Sequence, residues 1–167
     1  MSATDQGSSQ VEDYLTLEQQ VCFALAVASR SVISLYRPLL EPLRLTHPQY
    51  LVMVALWEYE PLSVKELSKM LQLEPPTVSP VLKRLQAAGL VERHRDAADE
   101  RSLRLTLTAE GRALRQQASQ IPASIASRLN MSITQLEALH GQLVDVIARA
   151  QAAGGDTSPV LGAQLDD

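Results

Sequence analysis

Between Ser63 and Thr108 the chain is punctuated so tightly that little freedom of fold remains. Ser63 and Glu66 have the spacing of a capping box: the serine oxygen satisfies a free amide of the first turn and the glutamate reaches back to the cap. The helix they open, VKELSKM, sets Val64, Leu67 and Leu71 inward at helical spacing. A short connector through Leu73 and Glu74 leads to Pro75 and Pro76, whose fixed φ suits a first helical turn. The second helix buries Val78, Val81, Leu82 and Leu85, carries Thr77, Ser79, Lys83 and Arg84, and ends at Gly89. LVERHRDAADERSLRLTLT then reads as a hairpin. Leu103, Leu105 and Leu107 alternate with Arg104, Thr106 and Thr108 to give one buried and one wet face, and Asp96 to Glu100 makes the turn. Such a helix-turn-helix with a wing is suited to placing one helix in a DNA groove.

The chain has 167 residues, about one domain with a real core. Aromatics make up only 4%, so that core must come from Leu, Val, Ala and Ile, which suits helix packing. The expected fold is therefore mainly α (α+β). The formal charge is −4, but its distribution is uneven. From Lys65 to Arg104 eight Lys or Arg face six Asp or Glu, a local +2; the rest holds seven against thirteen, a local −6. The basic groups thus concentrate where the winged unit would meet phosphates. No signal-peptide pattern and no run of about 18 apolar residues is present, which predicts a soluble, cytoplasmic protein without a membrane partner. One cysteine rules out an internal disulfide and a multi-thiolate zinc site. His47, His94 and His140 are scattered, with no Ser-His-Asp set or HExxH pair. Neither an enzyme nor a metal or cofactor site is expected.

Residues 1–12 and 152–167 read as disordered polar tails around a single domain, 13–151. The winged unit occupies about 48–108, and helices over about 16–40 and 109–151 flank it. Thr16 with Gln19 predicts a cap for a helix running to about Tyr36, with a stripe of Leu17, Val21, Leu25, Ala28, Val32 and Leu35. Pro38 and Pro42 limit its extension. Thr46 and Gln49 repeat the capping box for a strongly apolar helix to about Glu60, built on Leu51, Val52, Val54, Ala55 and Leu56. Thr108 starts a long helix that Pro122 should kink or break. A last helix runs from about Ile133 to Ala150, striped by Leu136, Leu139, Leu143, Val146 and Ile147. The flanking helices carry more apolar surface than one compact monomer needs. A two-fold dimer through them would hold two recognition helices about 34 Å apart, one turn of DNA.

A helix entering the major groove needs short polar groups near its start and basic groups for the phosphates. Thr77 and Ser79 meet the first need, Lys83 and Arg84 the second. In the wing turn, Arg95 and Arg101 flank Asp96, Asp99 and Glu100. One arginine would enter a minor groove while a carboxylate such as Asp99 braces the turn; the residues leave open which arginine does which. The bland alternative is an ordinary charged hairpin.

Cys22 lies beside the apolar stripe of the first helix. A lone cysteine is commonly an inert small hydrophobe, whereas a sensor needs a stabilised thiolate that an oxidant reaches. Tyr36 and His47 could supply hydrogen bonds if a partner subunit brings them near.

The stretch from about Leu17 to Ala150, through LEQQVCFAL, LYRPLL, LTHPQYLVMVALWE, LEPPTVSPVLKRLQAAGLV and DERSLRLTLTAEG, resembles the MarR family of winged-helix transcriptional regulators. Within it the resemblance is to the organic hydroperoxide resistance repressors, the OhrR type in its one-cysteine form. It implies a homodimeric repressor on a pseudo-palindromic double-stranded DNA operator, with an organic hydroperoxide as signal. On that pattern Cys22 is the oxidised residue and Tyr36 reaches its sulfur from the other subunit. His47 stands where the family commonly has a second tyrosine. No second cysteine is present to resolve the oxidised form, so it would persist as sulfenic acid, react with a backbone nitrogen or pair with a low-molecular-weight thiol. The alternative is a repressor of the same family released by a small aromatic or phenolic ligand, with Cys22 structural.

Overall fold

A computed structural model describes residue 16 and residues 20–95 and 103–155. The elements are α1 (Val21–Leu40), a 3-10 turn (Glu41–Leu43), α2 (His47–Tyr59), β1 (Leu62–Ser63), α3 (Val64–Leu71), α4 (Pro75–Ala87), β2 (Val91–Arg95), β3 (Leu103–Leu107), α5 (Ala109–Ala118), α6 (Ile121–Arg128) and α7 (Ile133–Ala152). The three strands form one antiparallel sheet in the order β1-β3-β2. Leu62 pairs with Leu105 on one side, and Val91 with Leu107 on the other.

Two of the expected capping boxes form as read. Ser63 and Glu66 make a reciprocal box at α3, and Thr46 and Gln49 do the same at α2. A third box, Ser132 with Gln135, opens α7. The turn between α3 and α4 passes through Gln72 in the left-handed region, and α4 starts on Pro75 and Pro76. Gly89, at φ 72°, carries the chain out of α4 towards β2. The core centres on α2, where Met53 and Leu56 are fully enclosed by Leu67, Leu82, Leu85 and Leu105. Burial of each such side chain contributes about 1.5–3 kcal/mol, which is what holds these short helices against the sheet.

Several expectations need correction. The first helix begins at Val21 rather than Thr16, with Gln20 as an N-cap whose side chain does not cap the helix, and it continues to Leu40. Thr16 lies in a bend, while Leu17 and Gln19 fall outside the described residues. Pro38 does not stop α1: it sits in the last turn, where its missing N–H frees only the Ser34 carbonyl, and the end comes at the turn containing Pro42. A short third strand, β1, was not foreseen, because two residues carry no period. Pro122 does break the helix opened by Thr108, but by starting α6 in its own first turn. Leu103 is 45% exposed instead of buried, since β3 reaches past the core before its alternation takes hold at Leu105. The expected N-terminal tail, residues 156–167 and the wing turn, residues 96–102, lie outside the described residues. Residues 152–155, expected in the C-terminal tail, instead close α7, which ends at Ala152, with the Gly155 N–H donating to the Ala150 carbonyl at 2.8 Å.

The flanking helices differ from the rest. Val21 is 67% and Ile133 72% exposed, and Phe23, Leu25, Val27, Leu139, Leu143, Val144, Val146 and Ile147 are exposed as well. No residue of α7 is buried. The segment Val21–Leu43 is apolar and long enough to cross a membrane by composition alone. Yet Arg30 and Arg37 interrupt it, and its end is anchored in the core through Leu40 and Leu43. A helix with one apolar face, one polar face and a buried foot packs against protein.

Candidate nucleic-acid interface and cysteine site

On α4 the apolar side is buried as the spacing required, which turns Lys83 and Arg84 outward and leaves Thr77 half-buried near the N-terminal end. That end adds the positive pole of the helix dipole to the basic groups. The Ser79 hydroxyl donates to the Pro75 carbonyl at 2.9 Å, so towards a base it offers an acceptor only. Pro80, with no N–H of its own, leaves the Pro76 carbonyl without its usual helical partner.

In the wing, Arg95 is exposed at the end of β2 opposite Leu103. Arg101 and Asp99 lie outside the described residues. Arg104, which the sequence left in the hairpin's wet face, is a brace: its Nη1 donates to Glu66 at 2.6 Å. The Glu66 carboxylate also accepts the Ser63 backbone N–H at 2.7 Å. That capping contact foremost, then Arg104, holds the Glu66 carboxyl below the usual range. One acid thus ties the wing to the start of α3.

Glu60 makes a second, less exposed tie. Its Oε2 accepts the Leu107 backbone N–H at 2.6 Å and Arg112 Nη2 at 3.0 Å, while Oε1 accepts Arg112 Nε at 2.8 Å. One turn earlier, the Trp57 indole donates to the Gly111 carbonyl at 2.8 Å. Nothing in the spacing of single residues signalled these contacts, because each joins segments about 40 or more positions apart.

Tyr36 and His47 are brought together: their rings lie 5.0 Å apart, edge to face. Tyr50, unremarked in the sequence, extends the stack, 5.9 Å from Tyr36 and 6.4 Å from Trp57. Burial pushes the Tyr36 phenol up and the His47 imidazole down. At neutral pH Tyr36 therefore remains an O–H donor and His47 an uncharged ring with one donor and one acceptor nitrogen. Cys22 is exposed and is not part of this cluster. It shares α1 with Tyr36 but precedes it by fourteen residues, a separation of about 21 Å along the axis. Among the described residues, no group of three His, Cys, Asp or Glu is placed to hold a metal ion.

The MarR family model matches residues 45–103. The organic hydroperoxide resistance transcriptional regulator of Bacillus subtilis (strain 168) is 39% identical over 135 residues, 81% of this chain and 92% of that protein. Among solved structures, the transcriptional repressor CouR bound to a 23-mer DNA duplex superposes with a TM-score of 0.73 at 26% identity, covering 80% of this chain and 96% of that one. Reduced AbfR bound to DNA gives 0.67 at 28% identity, covering 83% and 97%; AbfR from Staphylococcus epidermidis has also been solved.

Proposed function

This chain belongs to the MarR family of DNA-binding transcriptional regulators, and on that footing we propose that it is a repressor that senses organic hydroperoxides through Cys22. The observation that carries the reading is the division of one site along one helix. Cys22 is exposed on an apolar face, while its candidate hydrogen-bond donors, Tyr36 and His47, are stacked about 21 Å away at the other end of α1. An antiparallel second copy of α1 would bring the partner's donors to each sulfur. It would also cover the apolar faces of α1 and α7 that a single chain leaves in water. The working unit is thus a cytoplasmic homodimer with two such sites.

In this reading the Cys22 thiolate attacks the terminal oxygen of the hydroperoxide. The O–O bond breaks, the terminal OH passes to the sulfur as a sulfenic acid, and the alkoxide takes back from water the proton that the thiol gave up on ionising and leaves as the alcohol. A low-molecular-weight thiol would then form a mixed disulfide with loss of water. Either product is larger than the thiolate and makes different hydrogen bonds, so the contacts with Tyr36 and His47 change. Because the dimer helices hold two copies of α4 at fixed spacing on a pseudo-palindromic duplex, a small shift there moves both out of register with successive grooves. Thr77 and Ser79 face bases; Lys83 and Arg84 meet phosphates. Arg95 and Arg101 serve the wing, with Asp99 bracing its turn. The relative from Bacillus subtilis supports the signal, and the DNA-bound relatives support the docking.

The test is operator binding by reduced and hydroperoxide-treated protein. Wild type should release DNA and Cys22→Ser should stay bound. Release of both alike would favour a second reading, a small aromatic or phenolic effector in the open groove of about 650 Å³ lined by Leu39, Ser119, Gln120, Ser124 and Arg128.

A further inference from the structure

Glu60 occupies a junction that its position in the sequence does not announce. It caps the C-terminal end of α2, its backbone N–H donating to the Leu56 carbonyl, and the chain passes from it directly into β1, which pairs with β3. Its carboxylate reaches two further elements, the last residue of β3 through the Leu107 N–H and the first turn of α5 through the fork of Arg112. Trp57 binds Gly111 beside it. The same end of α2 is therefore lashed to the root of the wing and to the helix that leads towards the dimer region, while its other end carries His47 against Tyr36.

We propose that Glu60 is a positioning residue for DNA binding, setting the angle of the wing relative to α4 through its grip on Leu107 and Arg112. The proposal rests on the reading that the wing meets DNA. An acid is suited to the task because both its oxygens accept at once: a planar carboxylate matches the guanidinium fork and still takes a backbone N–H. A partly buried ion pair of this kind adds little net stability over an apolar replacement, but it defines geometry. With Leu105 and Leu107 already buried, the sheet keeps its core contacts without Glu60. What would be lost is the fixed orientation of the outer part of the hairpin.

Glu60→Gln preserves the shape, but its amide N–H₂ must face either the Leu107 N–H or the guanidinium, donor against donor. The experiment is a double-mutant cycle between Glu60→Gln and the wing variant Arg95→Ala/Arg101→Ala. It reads the affinity of the full chain for a fluorescent duplex selected from a randomised library, with thermal unfolding alongside. Glu60→Gln should weaken binding by about threefold to thirtyfold in the native-wing background. In the wing variant it should have no further effect. Equal losses in both backgrounds, or no loss, would overturn the role of Glu60 while leaving the wing reading intact. A wing variant that binds like wild type would overturn both. Should Glu60→Gln fail to fold, Arg112→Gln enters the same cycle with the same outcomes, since it removes the fork from the other side.

Discussion

If Cys22 is served by the partner's Tyr36, mixed dimers should reveal it. Fourteen residues separate the two on α1, about 21 Å of rise, whereas a hydrogen bond to sulfur needs contact within about 4 Å. No rotamer of either side chain closes that gap within one chain. A heterodimer of Cys22→Ser with Tyr36→Phe then keeps one complete site, the cysteine from one chain and the tyrosine from the other. A heterodimer of wild type with the doubly substituted Cys22→Ser/Tyr36→Phe chain has the same number of cysteines and tyrosines but no complete site. Loss of one hydrogen bond to a charged acceptor costs about 1.5–3 kcal/mol, roughly tenfold to 150-fold if expressed wholly in the rate. The two heterodimers, purified with different tags on each chain, would be compared by the rate at which cumene hydroperoxide blocks thiol alkylation. The first should react like wild type per cysteine and the second at least about tenfold more slowly. The reverse order, or equal rates, would refute the cross-subunit arrangement.

Other expectations follow from the same geometry. Arg84→Ala should weaken operator binding across all sequences and lower the salt slope by about 1, while Thr77→Val should change sequence preference; titrations in salt and selection from a randomised duplex separate the two. Gly111→Ala should destabilise the protein by about 1–3 kcal/mol in denaturant titrations, because an added Cβ would lie within 2.2 Å of the Leu90 carbonyl oxygen, a backbone atom with no room to yield. His47 has its pKa lowered by burial. Its contribution to stability should therefore be complete above its ordinary value of about 6.5 and fall as pH drops through the depressed folded value. His47→Phe should flatten that acid-side decline in thermal unfolding measured from pH 7.5 to 5.

What the sequence determined by itself was local. Capping boxes at Thr46 and Ser63, the Pro75-Pro76 start and the exit at Gly89 all act within one or two helical turns. Their energetics are settled by neighbours in the chain, so the winged unit and its outward basic face were legible. The first helix was misplaced at its start because a Thr-Gln pair three positions apart matches the spacing of a capping box wherever it occurs, and that spacing alone does not fix where a helix begins. Only the tertiary structure decided the contacts that join distant segments: Glu60 to Leu107 and Arg112, Glu66 to Arg104, and Tyr50 in the stack beside Tyr36 and His47. It also decided which apolar stripes find cover. The stripes of α1 and α7 have the same period as that of α4, but much of α1 and the whole of α7 emerge unburied. Periodicity states that a face is apolar; what covers that face depends on where every other element goes.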